Sequence, residues 1–218
     1  MLSVAILGGT GHQGGGLAQR FAGTGVQVTV GTRDPNRARQ EVASWSSAPQ
    51  SIEVRDNADA VRRHDLIVLA VPFPAVDTLL AELHPHFREG STLIDVTVPL
   101  AFSKARLEML SVAEGSAAEH VRARLPRRVK LAIAFKTIPA LLLGDVMRPL
   151  DCDEFVCGDS DEARAAAMTL VKLLPGLRPI DVGPISRARF IEQLTAMAVA
   201  INRRHKLHDA RFRVVGFP

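Results

Sequence analysis

The stretch Val4-Ala5-Ile6-Leu7-Gly8-Gly9-Thr10-Gly11-His12-Gln13-Gly14 decides the fold of this chain. Its four apolar residues predict a buried strand, and Gly9, Gly11 and Gly14 then have the Gly-x-Gly-x-x-Gly spacing of a dinucleotide-binding turn. The first glycine of such a turn ends the strand, the second lets the backbone approach a pyrophosphate, and the third allows close helix packing. The spacing alone is a weak signal, but its position directly after a strand strengthens it. We therefore expect dinucleotide phosphates on free amides at a helix N-terminus.

The tip of the second predicted strand, residues 26–30, decides between two nucleotides. An NAD-binding chain carries an acid there, which binds the ribose 2′-hydroxyl and would repel the 2′-phosphate of NADP. This chain instead has Thr32, Arg33 and Arg37, a hydroxyl and two guanidinium groups. The nearest acid, Asp34, precedes Pro35 and fits the cap of a helix. These residues predict NADP as the cofactor. NAD would be favoured only if the Asp34 side chain turned inward. Without the glycine turn, the two arginines would indicate only the solvated start of a helix.

Short apolar segments alternate with helical ones, which predicts an α/β protein of the Rossmann type. We expect a doubly wound, mainly parallel sheet and a small C-terminal helical segment that closes the cofactor cleft. Residues 1–150 are predicted to form the NADP-binding domain and residues 151–218 a small C-terminal domain, unless its strand joins the main sheet. The predicted strands cover residues 2–7, 26–30, 51–54, 66–71, 92–96, 129–135, 155–158 and 179–182. Helices are predicted over residues 116–125, 161–174 and 186–203.

Composition excludes several classes of protein. The chain is 47% hydrophobic and 23% charged, as ordinary globular proteins are. No apolar run approaches the roughly 20 residues of a membrane helix, and the first residues do not resemble a signal peptide, so we expect a cytoplasmic protein without a membrane partner. Cys152 and Cys157 have no zinc or redox spacing, and the histidines are scattered, so no metal site is predicted. The net charge of +4 comes without a nucleic-acid-binding motif, which favours an anionic small partner over nucleic acid.

Two strand ends that carry prolines are predicted to border the cofactor. Val71 and Pro72 follow the fourth strand, and Val98 and Pro99 follow the fifth. Ligands of open α/β sheets bind outside the carboxyl ends of the strands. These residues are therefore predicted to pack against the ribose and nicotinamide, the alternative being that the prolines only end the strands.

Further motifs connect the chain to a known family. They are Lys136-Thr137-Ile138-Pro139-Ala140, Cys157-Gly158-Asp159, the Leu-Arg-Pro-Ile-Asp-Val-Gly-Pro sequence of residues 177–184, and Glu192-Gln193-Leu194-Thr195. Together with the glycine turn and Gly31-Thr32-Arg33, they resemble the F420-dependent NADP reductases, also called NADPH:F420 oxidoreductases, over essentially the whole chain. The resemblance implies a homodimer that transfers a hydride reversibly between NADP and the deazaflavin coenzyme F420.

The resemblance also implies the binding residues for both anionic redox cofactors. Residues that match the family's NADP site are Thr10, Gly11, His12, Gln13, Thr32, Arg33, Arg37, Val98 and Ala140. Those that match its deazaflavin site are Ile138, Pro139, Arg189 and Thr195. Arg189 is expected at the carbonyl edge of the ring or beside its anionic reduced form.

Two positions depart from the family pattern. Lys136 stands where the family has a histidine of the deazaflavin site, and Gln193 stands where it has a serine. The segment from His205 to Arg211 also replaces a small, glycine-rich chain end. We expect Lys136 to serve the anionic ring or tail of F420, or else to extend to water as a structural lysine. Basic residues between Arg203 and Arg213 are further candidates for the phosphate and glutamates of the tail.

Two redox cofactors carry the chemistry of such a reaction themselves, so the protein need only hold their rings face to face and exclude water. No catalytic acid, base or nucleophile is therefore predicted. Two other functions stay open. One is an NADPH-dependent reductase of a flavin, imine or ketone, for which Lys136 would be the first candidate proton donor. The other is a non-enzymatic NADP-binding sensor.

Overall fold

Alternate side chains of the first strand enter two separate cores, and this pattern places the strand in the middle of the molecule. Val4 and Ile6 belong to one hydrophobic core, while Ala5 and Leu7 belong to the other. All four side chains are completely buried. A strand that is apolar on both faces must be covered by helices on both sides, and this requirement sets the layered architecture.

The computed structural model describes residues 2–45, 52–102 and 107–217. The strands are β1 (Ser3–Leu7), β2 (Gln27–Thr32), β3 (Ile52–Asp56), β4 (Leu66–Leu69), β5 (Thr92–Asp95), β6 (Leu100–Phe102), β7 (Leu107–Met109), β8 (Lys130–Ile133), β9 (Cys152–Gly158) and β10 (Leu177–Pro184). The α-helices are α1 (His12–Gly23), α2 (Pro35–Ala43), α3 (Asn57–Arg63), α4 (Val76–Leu83), α5 (Ala117–Arg124), α6 (Ala140–Gly144), α7 (Asp161–Leu173) and α8 (Ala188–His205).

The main sheet has eight strands in the order β3-β2-β1-β4-β5-β8-β9-β10. Neighbouring strands from β3 to β8 are parallel, β8 and β9 are antiparallel, and β9 and β10 are parallel to each other. The direction of winding changes between β1 and β4, where an open α/β sheet forms its ligand crevice. The Rossmann-type fold class is confirmed.

Short side-chain caps fix where several helices begin. Ser116 accepts a hydrogen bond from the amide of Glu119 at the start of α5, and Ser160 does the same for Ala163 at the start of α7. Each cap satisfies an amide that the helix itself leaves without a partner. The predicted helices over residues 116–125 and 161–174 therefore begin close to where the sequence placed them.

Several boundaries differ from the sequence prediction. β8 ends at Ile133 rather than at residue 135, because Phe135 adopts a left-handed backbone with φ of 61° that no strand contains. β9 begins at Cys152, three residues before its predicted start. The hairpin of β6 and β7 was not predicted. Residue 51, the first of the predicted third strand, lies outside the described residues.

The C-terminal half of the chain adds to the same sheet. β10 pairs with β9 over its length and forms one edge of the eight strands. Its strand therefore joins the main sheet, which was the open alternative in the sequence. The division into domains at residue 150 stays a prediction.

Candidate functional site

A cavity of about 550 Å³ lies where the glycine turn meets the end of β2, and we call it the polar chamber. The starts of α1 and α2 both border it. Helix N-termini carry partial positive charge and free amides, so this space suits an anionic ligand. The lining residues are Thr10, Gly11, His12, Gly15, Gly16, Gln19, Thr32, Arg33, Asp34, Arg37, Ala38, Glu41, Trp45 and Gly144.

The three motif glycines differ in how much room they leave for a side chain. A Cβ on Gly14 would lie 2.4 Å from the carbonyl oxygen of Gly8, so the packing of the turn against α1 requires glycine there. A Cβ on Gly9 would lie 3.0 Å from the carbonyl oxygen of Ile6. A Cβ on Gly11, by contrast, would approach only the Gly8 carbonyl oxygen, at 3.3 Å, among the described residues. Gly11 is therefore the least enclosed of the three, as expected where a pyrophosphate would approach the backbone.

The end of β2 places two arginines beside the polar chamber, and the nearby acid, Asp34, caps a helix. Oδ1 of Asp34 accepts a hydrogen bond from the backbone amide of Arg37 at 3.1 Å and so caps α2. The amide of Asp34 donates to the Thr32 hydroxyl at 3.2 Å. Arg33 and Arg37 are exposed side chains at the chamber wall. The capping role predicted for Asp34 is confirmed, and the Thr32 hydroxyl with two guanidinium groups is complementary to a phosphate.

A second cleft of about 460 Å³ contains a polar residue that the sequence prediction missed. Asn57 lines this cleft together with Gly31, Thr32 and Arg33. Its Oδ1 is the one buried side-chain polar atom without a hydrogen-bond partner in the part of the chain that the structure describes. A buried acceptor without a donor is costly, and it fits a cleft that a ligand completes. The signal in the sequence was the position of Asn57 directly after a strand end, at the ligand edge of the sheet.

The third cavity, of about 610 Å³, is the apolar chamber. It lies on the other side of the glycine turn and shares Gly11 and His12 with the polar chamber. One wall is α8, the C-terminal helix that the sequence predicted to close the cleft. The lining residues are Gly11, His12, Gln13, Ala70, Val71, Pro72, Phe73, Pro74, Val96, Thr97, Val98, Leu100, Lys136, Thr137, Ile138, Pro139, Ala140, Thr195, Ala198, Val199, Asn202 and Ala210.

Lys136 belongs to this lining, but its ammonium lies in a buried cluster of charges. Nζ lies 2.7 Å from Oδ2 of Asp95 and 3.3 Å from Oε1 of Glu192, and it also donates to the carbonyl oxygen of Thr97. The three charged side chains are at most 1% exposed. Burial lowers the pKa of Lys136, but the two carboxylates outweigh burial and raise the pKa above its usual value. The alternative in which Lys136 extends to water is wrong.

The charged cluster also joins four segments of the cleft. Asp95 accepts hydrogen bonds from the amide of Thr97 at 2.9 Å and from its hydroxyl at 2.7 Å. Glu192 of α8 accepts from the amides of Ala117 and Ala118 in the first turn of α5. The strand ends of β5 and β8 and the two helices are therefore held together beneath the apolar chamber.

The loop after β8 is held from behind by another buried acid, Glu154 of β9. Oε1 of Glu154 accepts from the amide of Lys136 at 3.2 Å, and Oε2 accepts from the Thr137 hydroxyl at 2.9 Å. Complete burial raises the pKa of Glu154 to about 7. On the other side of this loop, the Gln13 side chain donates to the carbonyl oxygen of Phe135 at 2.7 Å. These bonds stabilise the left-handed backbone at Phe135.

Comparison with known proteins decides the family. The family described as "NADP oxidoreductase coenzyme F420-dependent" matches residues 3–99. The F420-dependent NADP reductase of Methanothermobacter thermautotrophicus is 34% identical to this chain over 100% of the chain and 97% of the relative. The chain belongs to the F420-dependent NADP reductase family. The corresponding reductase of Methanothermobacter marburgensis is 31% identical, with 100% of both chains covered. The resemblance drawn from the motifs is confirmed.

Solved structures agree with this family and fold. A structure from Arthrobacter sp. FB24, named as a candidate F420-dependent NADP reductase, has a TM-score of 0.84 and is 26% identical, covering 99% of this chain and 100% of that one. A reductive aminase from Aspergillus terreus has a TM-score of 0.65 at 16% identity, over 94% of this chain and 63% of its own. The aminase shows a shared fold and nothing more.

The reductase fold brings most of the predicted site residues to the two chambers. Thr10, Thr32, Arg33 and Arg37 line the polar chamber, and Gly11 and His12 line both. The apolar chamber receives Gln13, Val71, Pro72, Val98, Lys136, Ile138, Pro139, Ala140 and Thr195. Gly9 lies beneath the turn and packs against Val30.

Arg189, like Gly9, is a predicted site residue that lines neither chamber. It lies in the first turn of α8, where its guanidinium pairs with Glu119 of α5 at 3.1 Å. Gly115 packs against the same guanidinium group. The binding roles of Arg189 and of the other site residues stay predictions.

None of the helices among residues 2–45, 52–102 and 107–217 is both long and apolar enough to cross a bilayer. The same residues contain no group of three or more His, Cys, Asp or Glu side chains arranged to hold a metal ion.

Proposed function

We propose that this protein transfers a hydride between NADP(H) and the deazaflavin coenzyme F420. The observation that carries the proposal is the pair of chambers that meet at Gly11 and His12, one bordered by helix N-termini and two guanidinium groups, the other apolar and about 610 Å³ in volume. A dinucleotide that extends from the first chamber into the second would place its nicotinamide beside an apolar space of the size that ligand pockets have. Membership of the reductase family supports this assignment.

The polar chamber and the Asn57 cleft would hold the adenosine half of NADP. Amides of the glycine turn would bind the pyrophosphate. The Thr32 hydroxyl and the guanidinium groups of Arg33 and Arg37 would bind the 2′-phosphate. The orphaned Oδ1 of Asn57 would accept a hydrogen bond from an adenine amine or a ribose hydroxyl.

The apolar chamber would hold the reacting ring of NADP against the deazaflavin. When bound, the two cofactors supply the hydride donor and acceptor carbons themselves. Val71, Pro72, Val98 and Ala140 would pack against the ribose and nicotinamide, with Ile138 and Pro139 against the deazaflavin. Their apolar surface excludes water from the space between the rings, which protects the hydride and aligns the carbons.

Thr195 would orient the deazaflavin with the lone pairs of its hydroxyl. That hydroxyl lies 3.0 Å from the carbonyl oxygen of Lys136 and 3.1 Å from that of Ile191, so its proton is directed to the protein. The oxygen then remains an acceptor for a ring N–H.

We further propose a homodimer formed through α8. Phe190 and Met197 are 57% and 56% exposed and lie seven residues apart, so they share one face of the helix. The family resemblance implies a homodimer, so we assign a second copy of this chain to this face of α8. Replacement of both residues by glutamate should convert the dimer to a monomer in analytical ultracentrifugation, whereas an unchanged mass would exclude this face.

The function is tested by mixing the purified protein with NADPH and oxidised F420 and recording the loss of F420 absorbance. NADH in place of NADPH is the matched control, and it should react far more slowly. Flavin, imine and ketone acceptors without F420 test the alternative reductases. Absence of F420 turnover at saturating concentrations of both cofactors would overturn the proposal, and tight NADPH binding without any acceptor would favour the sensor.

A further inference from the structure

The apolar chamber has almost no charge with which to hold an anionic tail. Lys136 and His12 are the basic residues of its lining among the described residues. The ammonium of Lys136 is completely buried and already bound to two carboxylates. F420 carries a phosphate and several carboxylates on a flexible tail, and an apolar chamber does not hold such charges, so that tail extends out of the chamber. This inference rests on the proposed function.

One side of the apolar chamber continues toward a basic segment. Thr195, Ala198, Val199 and Asn202 of α8 line the chamber, as the i, i+3, i+4 and i+7 positions of a helix face do. Helix α8 ends at His205, and Lys206 takes a left-handed conformation with φ of 55°. The chain then returns toward the chamber, where the amide of Ala210 donates to Oδ1 of Asn202 at 2.9 Å.

A hollow of about 300 Å³ lies between α6 and this returning segment, and we call it the tail hollow. α6 connects the two spaces, because Ala140 lines the apolar chamber while Leu141 and Leu142 line the hollow. The charged and basic residues of the hollow are Lys206, His208, Arg148, Asp145 and Asp209.

The ion pairs around the tail hollow leave the ammonium of Lys206 free to bind an anion. Asp209 pairs with Arg148 and lies 3.3 Å from Arg211, so two cations neutralise it. Lys206 is exposed and has no acidic partner among the described residues. Residues 203–213 contain five lysines or arginines and one acid. The lining itself has two cations, Arg148 and Lys206, and two acids, Asp145 and Asp209. The positive surroundings of the hollow come from Arg211, beside Asp209, and from Arg20, whose guanidinium donates to the backbone carbonyl of Asp145.

We propose that the tail hollow binds the phosphate and carboxylates of the F420 tail, with Lys206 as the principal cation. Lys206→Glu reverses this charge at the hollow. The matched control is Arg204→Glu, which makes the same change in net charge two residues away, at a side chain that does not line the hollow. Two acceptors are compared: intact F420, and the deazaflavin with its ribityl chain but without phosphate or glutamates.

Lys206→Glu should raise KM for intact F420 about tenfold at low salt, as expected for replacing an attraction by a repulsion. The KM values for the acceptor without the tail and for NADPH should stay unchanged, and so should kcat. Sodium chloride at high concentration should reduce the difference, because salt screens exposed charges. Arg204→Glu should change the KM for F420 by less than about twofold.

Three results would overturn the proposal. An equal rise in KM for both acceptors would mean that Lys206 shapes the chamber rather than binds the tail. An equal effect of Arg204→Glu would mean that only net charge matters, and an unchanged KM would remove Lys206 from the site. Failure of the wild-type protein to reduce either acceptor is a different result, and it would overturn the proposed function together with this subsite.

Discussion

The ammonium nitrogen of Lys136 lies 2.7 Å from Oδ2 of Asp95, and neither side chain is exposed to solvent. Removal of the lysine leaves Asp95 and Glu192 as two buried carboxylates without their cation. Lys136→Met should therefore lower the free energy of unfolding by about 3–5 kcal/mol. Urea unfolding followed by circular dichroism measures the loss. Lys136→Met combined with Asp95→Asn should recover part of it, and equal stability of the single and double variants would contradict the pairing.

Arg33 should discriminate NADP from NAD. Arg33→Ala should weaken NADP binding by about 1.5–3 kcal/mol, the value of a charge-assisted hydrogen bond, and leave NAD binding nearly unchanged. Calorimetric titration with each nucleotide measures both affinities. Asp34→Asn is the control, because asparagine also caps a helix and the variant should retain the preference for NADP. Equal weakening of both nucleotides by Arg33→Ala would show that this arginine supports the fold instead.

Asn57→Leu should have opposite effects on binding and on stability. Leucine removes a buried acceptor that has no donor in the described structure, so the free protein should be as stable as before or slightly more so. NADP binding should weaken by about 1 kcal/mol because the ligand loses a hydrogen-bond partner. Thermal unfolding with and without NADP separates the two effects. If the variant binds NADP as tightly as wild type, Asn57 does not contact the nucleotide.

Glu154 should make stability depend on pH. Burial raises its pKa to about 7, whereas a glutamate in the unfolded chain titrates near pH ~4.3. The folded protein then binds more protons than the unfolded one between these values, so stability falls as pH rises from about 4.5 to 7 and levels off above. The loss is on the order of 3–4 kcal/mol, because each pKa unit corresponds to about 1.4 kcal/mol.

Glu154→Gln provides the matched measurement for this pH dependence. Glutamine retains acceptor and donor atoms near Thr137 but has no proton to titrate. Urea unfolding of both proteins at several pH values between 5 and 8 should show a steeper fall for the wild type. Parallel curves would mean that Glu154 does not titrate in this range.

The sheet could be predicted from the sequence because its central strands are continuous apolar segments between helical ones. The residues at the end of β2 could also be predicted from the sequence, since Thr32, Arg33 and Asp34 interact within a few residues of one another. The hairpin of β6 and β7 was missed because it consists of two strands of three residues, too short for a periodic pattern.

The charged cluster around Lys136 could not be predicted from local sequence patterns, for a different reason. Its partners Asp95 and Glu192 lie 41 and 56 residues away along the chain, and only the assembled sheet and α8 bring them together. A single sequence contains no signal for such a contact. For Arg189, the family resemblance predicts a place at the carbonyl edge of the deazaflavin ring. The structure shows an ion pair between Arg189 and Glu119.

The hydrogen bond from Gln13 to the carbonyl oxygen of Phe135 joins the glycine turn to the loop that forms the apolar chamber. A change in the position of the turn on nucleotide binding would be passed to Ile138, whose carbonyl oxygen lies 3.4 Å from the same Gln13 nitrogen. We therefore expect the affinities for the two cofactors to be thermodynamically linked. Linkage is reciprocal, so the factor by which NADP changes the affinity for F420 must equal the factor by which F420 changes the affinity for NADP.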